Sequence, residues 1–104
     1  MIKRFWLLGS DDDVATVGRR LAATLGVHLV ERESSYLGGA YLGGSGSGLD
    51  EVIVQANFED EEGYLAEMDF PNYRTLIHVT QELESRPLPK MVDIGVHVLR
   101  VEEL

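Results

Sequence analysis

The chain has 104 residues, a mass of 11.6 kDa and a net charge of −9, from nine Lys and Arg against eighteen Asp and Glu. It is one domain's worth of sequence, and its acidity counts against nucleic-acid binding, which needs basic surface to displace counterions, and against docking on an anionic membrane. There is no Cys, which excludes disulfides, thiolate chemistry and zinc sites built on thiolates.

Phe5 to Leu8 is a short apolar run ending at Gly9-Ser10 and reads as a buried strand. It is too short for a signal peptide, and no apolar run approaches the roughly 20 residues of a membrane helix, so the expected location is cytoplasmic. Asp11, Asp12 and Asp13 open a helix, since Asp caps helix N-termini and its charge suits the positive end of the helix dipole. Val14, Val17, Leu21 and Leu25 share one helical face, and Gly26 is placed to end the helix in a left-handed conformation. Val27 to Glu33 alternates and reads as a second strand.

Tyr36 to Leu42 predicts a third strand interrupted at Gly38-Gly39. Residues 43–48 (Gly43-Gly44-Ser45-Gly46-Ser47-Gly48) predict a flexible loop. Asp50 to Phe58 alternates as a strand, Glu59 to Gly63 is an acidic turn, and Tyr64 to Phe70 alternates again up to Pro71. Arg74 to Thr80 is another strand, Gln81 to Asp93 holds a second helix shortened by Pro87 and Pro89, and Val96 to Glu102 is the last strand.

Leu25-Gly26-Val27-His28-Leu29-Val30-Glu31 resembles Ile94-Gly95-Val96-His97-Val98-Leu99-Arg100, each preceded by a helical candidate. The expected fold is therefore a single α+β domain spanning residues 1–104. It has a mixed, mostly antiparallel sheet, two helices on one face and split β-α-β halves at the two ends.

The charge is unevenly spread. Residues 34–49 carry none, whereas residues 50–69 hold eight acids and no base. Glu59-Asp60-Glu61-Glu62-Gly63 lacks the ligand spacing of a calcium loop, and no Gly-rich phosphate fingerprint or nucleophile elbow is present. His28, His78 and His97 all fall in predicted strands without metal-ligand spacing. No catalytic residue, metal or cofactor is expected. Tyr36, Tyr41, Tyr64 and Tyr73 flank the neutral and acidic stretches, and tyrosines beside carboxylates suit a protein-binding surface. The candidate partner-binding residues are Tyr36, Tyr41, Asn57, Glu59, Asp60, Glu61, Glu62, Tyr64 and Asp69.

The spacing Ser34-Ser35-Tyr36-Leu37-Gly38-Gly39-Ala40-Tyr41 in a short acidic chain resembles small single-domain bacterial proteins of the toxin-immunity type. The resemblance implies a non-catalytic inhibitor of a basic toxin or enzyme, acting through residues 50–69. The alternative is a small-molecule or metal-binding domain, regulatory or enzymatic, using His and carboxylate groups on the sheet.

Overall fold

The computed structural model describes residues 2–104. Six strands form one sheet: β1 (Lys3–Ser10), β2 (His28–Ser34), β3 (Gly39–Gly46), β4 (Leu49–Ala56), β5 (Thr75–Glu82) and β6 (His97–Glu103), in the order β2-β3-β4-β5-β1-β6. Every neighbouring pair is antiparallel, so the sheet is antiparallel throughout and not mixed. The one α-helix among the described residues, α1 (Val14–Leu25), connects β1 to β2 across three intervening strands. β5 and β6 likewise flank β1, but no α-helix among the described residues joins them, so the split β-α-β half expected at this end does not form.

The helix ends where its sequence says it should. The Asp13 carboxylate accepts the Thr16 N–H at 2.7 Å, supplying one of the partners a helix N-terminus lacks. That hydrogen bond holds the Asp13 carboxyl below the usual carboxylate range. At the other end Gly26 adopts φ 68° and returns its N–H to the Ala22 carbonyl, a left-handed stop that costs a glycine nothing.

One face of the sheet carries the main core. Leu8, Val52, Val54, Ile77 and Val79 are fully buried there with Val17 and Leu21 of the helix, while Met91 and Val96 close the β5–β6 side. Each such side chain contributes about 1.5–3 kcal/mol by leaving water. Gln81 is the polar exception. Its Oε1 accepts from Trp6 Nε1 at 2.9 Å and Arg4 Nη1 at 3.2 Å, and its Nε2 donates to the Arg86 carbonyl at 3.1 Å. Three of the four hydrogen-bonding positions of the buried amide are thus filled, and both its oxygen and its nitrogen have partners, as its burial demands.

Four expected elements differ. The strand expected over Tyr36 to Leu42 is displaced: Tyr36 and Leu37 lie in a 3-10 turn ended by left-handed Gly38, and β3 starts only at Gly39. The second helix over 81–93 does not form. β5 runs on to Glu82, Pro87 and Pro89 remove helical donors, and only a 3-10 turn at Val92–Ile94 survives. Residues 43–48 are not a free loop: Gly43 to Gly46 belong to β3, and a tight turn leads straight into Leu49. Glycine is needed at Gly44 because a Cβ there would land on the His28 carbonyl oxygen of β2. Tyr64 to Phe70 is not a strand. Its one ladder contact is an isolated bridge between Glu59 and Leu65, and the rest is turns.

Candidate functional site

Strand directions decide what gathers where. β1, β2 and β4 end, and β3, β5 and β6 begin, at the same end of the sheet. The β1–α1, β2–β3 and β4–β5 connections therefore meet there. They carry Asp11, Asp12 and Asp13, then Tyr36, then the acids of residues 59–69. Asp93 lies in the connection that returns to this end before β6. The result is an acidic pole that the linear charge distribution shows only in part.

The β4–β5 connection is shaped by two side chains. Asp60 Oδ1 accepts from the N–H groups of Glu62 and Tyr64, both at 2.9 Å, while the Asp60 N–H donates to the Tyr64 carbonyl. Asp is a turn former for this reason. Asn57 clasps the rest. Its Nδ2 donates to the Phe70 and Tyr73 carbonyls at 3.0 and 3.1 Å, and its Oδ1 accepts the Glu67 N–H at 3.0 Å. So held, the segment lies over the second face of the sheet, where Leu7, Gln55 and Leu76 are buried. The Gln55 Oε1 is buried there without a hydrogen-bond partner.

The candidate residues therefore divide. Glu59, Glu61 and Glu62 are exposed at the turn with Tyr64, which is 55% exposed. Tyr36, 91% exposed, sits in the 3-10 turn Ser35–Leu37. That turn lies against the acidic segment, because a Cβ at Gly38 would overlap the ring of Phe58. The acidic turn thus holds Glu59, Asp60, Glu61, Glu62 and Tyr64, and Tyr36 stands on the neighbouring 3-10 turn, two residues from the Gly38–Phe58 contact. Asn57 is occupied within the chain by its three side-chain hydrogen bonds. Tyr41 lies on β3 and lines a small cavity of about 220 Å³ with Arg32, Asp50 and Glu51, away from the turn. Asp69 faces Arg100 at 3.8 Å.

Arg100 was not singled out by the sequence, yet it organises this region. It contacts Glu67 at 3.2 Å, Asp69 at 3.8 Å and Glu102 at 3.3 Å, which ties the β4–β5 segment to β6. Asp50 pairs with Lys3 at the opposite end of β4 and raises the Lys3 pKa by hydrogen bonding. Half of the acids in residues 50–69 thus lie away from the tip or face an intrachain cation. Met68, 54% exposed beside the acids, is a further surface residue that sequence reasoning passed over.

The histidines stay apart. His28 is on the β2 edge, His97 on the β6 edge and His78 in β5. At about 4.8 Å per strand, β2 and β5 are roughly 14 Å apart. His78 is on the second face of the sheet, between Ile53 and Leu7, and burial holds its pKa below the usual histidine value. Among the described residues no group of three or more His, Asp and Glu side chains is arranged to hold a metal ion, and no helix is long and apolar enough to cross a membrane.

A cavity of about 500 Å³ lies at the opposite end of the sheet between the helix C-terminus, the β3–β4 turn and the Pro87–Pro89 stretch. Arg86 is its one charged lining residue. The chain matches no protein-family model, no curated protein and no solved structure, so the geometry of the acidic pole carries the functional reading.

Proposed function

We propose that this protein is a non-catalytic binding module that engages a basic protein, in the manner of an immunity-type inhibitor of a cationic toxin or enzyme. The observation that supports this is the acidic pole. Glu59, Glu61 and Glu62 project from a turn fixed by Asp60, next to the exposed rings of Tyr36 and Tyr64. Opposite potentials speed encounter and select partners, and rigid tyrosines supply contact area at low entropic cost. Carboxylates held on a turn occupy a cationic cleft as phosphates would.

The test is affinity capture from the source cells at low salt, comparing the native chain with the Glu59→Gln, Glu61→Gln, Glu62→Gln triple variant. The reading expects a basic protein retained by the native chain and released by salt. The association rate with the triple variant should fall by about ten-fold or more. Failure of the native chain to retain any protein at low salt overturns it, as does a partner that binds the triple variant at the same rate.

A further inference from the structure

The two edges of the sheet are open, and they differ. β2 exposes Glu31, Arg32 and Glu33 in succession, the kind of charge that blunts an edge. β6 is more apolar, with Val98 54% and Val101 43% exposed on one face and Leu104 74% exposed beyond its end.

The backbone parity of β6 follows from its last pair. Lys3 and Leu104 exchange both N–H···O bonds. In an antiparallel ladder such pairs alternate with pairs that make none. From the register, Glu102 opposite Phe5 and Arg100 opposite Leu7 therefore bond to β1, while Glu103 and Val101 point their N–H and C=O groups away from it. Val101 thus presents a free donor and acceptor at the centre of a regular stretch. The register shift between Leu7 and Leu8 bounds that stretch on the Val98–Leu99 side.

We infer that β6 pairs antiparallel with β6 of a second copy of this chain, the two-fold axis passing between the Val101 residues. A two-fold perpendicular to the sheet keeps each residue on its own face, so only a few registers are allowed. With the axis at Val101, Arg100 of each copy lies opposite Glu102 of the other, and Val101 exchanges both backbone hydrogen bonds with its counterpart. With the axis at Arg100 or at Glu102, like charges meet on the axis. With the axis at Leu99, the irregular residues of β6 lie at the centre. No register of β2 against itself sets opposite charges face to face: an axis at Arg32 opposes Glu31 to Glu33. The charge pattern and the hydrogen-bond parity of β6 thus select the same arrangement, a continuous sheet of two antiparallel copies.

The experiment is sedimentation equilibrium from about 10 µM to about 1 mM protein, a range suited to a small edge-to-edge interface. About 0.15 M salt screens the repulsion between the two copies beyond about 8 Å. The native chain should approach twice its 11.6 kDa mass as concentration rises. Val101→Pro removes only an outward-facing N–H, which edge strands tolerate, and should stay monomeric while its β1 amides keep native exchange protection. Glu102→Arg opposes Arg to Arg and should be monomeric, as should Arg100→Glu, which opposes Glu to Glu. An equimolar mixture of the two restores both opposite-charge pairs and should dimerise. A native chain that remains monomeric at about 1 mM overturns the inference. So does a Val101→Pro variant, shown folded by its β1 amides, that dimerises like the native chain.

Discussion

Asn57 is where a binding role and an architectural role make opposite predictions. Asn57→Ala removes three side-chain hydrogen bonds, to Phe70 O, Tyr73 O and Glu67 N. A typical intramolecular bond contributes about 1 kcal/mol net. The site is half-buried, so water replaces part of the loss, and about 2 kcal/mol is expected in total. For a domain of this size that lowers Tm by about 10 °C. The loss is local in origin. The backbone bonds of Asn57 to Arg74 and of Ala66 to Phe58 remain, so the sheet persists while the β4–β5 segment loosens. Exchange of the Glu67 amide should therefore accelerate by about 25-fold under native conditions, while amides in the middle of β5 change less. Asn57→Asp keeps the acceptor for Glu67 but sets a carboxylate against two carbonyls, and should be worse than Ala. Urea denaturation followed with amide exchange by NMR measures both quantities. A loss below about 0.5 kcal/mol, the size of an ordinary surface substitution, would refute the clasp.

Two further outcomes follow from buried polar groups on the two faces of the sheet. Gln81→Leu leaves Trp6 Nε1, Arg4 Nη1 and the Arg86 carbonyl without their partner; calorimetry should find a loss of about 2–4 kcal/mol, and near-native stability would show that the network contributes little. His78 has a folded-state pKa below its unfolded value because burial disfavours the imidazolium, with Glu67 and Glu51 opposing and Arg100 reinforcing that shift. Its neutral form therefore contributes stability that is complete above about pH 6.5 and is lost as pH falls toward the folded value. The difference in urea midpoint between about pH 7.5 and about pH 5 should be larger for the native chain than for His78→Gln, and an equal difference in both would remove His78 from the acid response.

Much of the architecture is local in origin and therefore legible. Asp13 and Gly26 mark the helix ends, and the alternation of Val52, Ile53, Val54 and Gln55 sorts the two faces of β4. The internal similarity also has a physical meaning. Gly26 and Gly95 both adopt left-handed φ, 68° and 76°, each is followed by a buried valine, Val27 or Val96, and then by an exposed histidine that opens an edge strand. The same seven-residue device starts the strand at each border of the sheet.

What escapes sequence reading is settled by partners distant in the chain. Tyr64 to Phe70 alternates like a strand, but Asn57 captures carbonyls thirteen and sixteen residues away and bends the segment over the sheet. Prolines in 81–93 forbid a long regular helix without revealing that β5 would consume its first residues. The acidic stretch reads as one surface because nothing nearby shows that Arg100, thirty-three residues beyond Glu67, will draw in that carboxylate.

The acidic pole and the β6 edge constrain one another. Two chains of −9 repel, and an interface that set the poles side by side would concentrate that repulsion. Antiparallel pairing through β6 does the reverse. β6 starts at the acidic pole, opposite Gly9, and the proposed axis lies four residues further along at Val101. Because of the register shift at Leu7/Leu8, those four residues span only the three β1 steps from Gly9 to Trp6, so at about 3.4 Å per step each pole stands about 10 Å from the axis along the strands, on opposite sides, and the poles are separated by about 20 Å, well beyond the screening length of about 8 Å. Pairing in this sense leaves both acidic turns open and pointing apart, which gives a dimer two sites for a basic partner. The stoichiometry of a complex with that partner would then be two to two for the native chain and one to one for Val101→Pro, with the same intrinsic affinity per site.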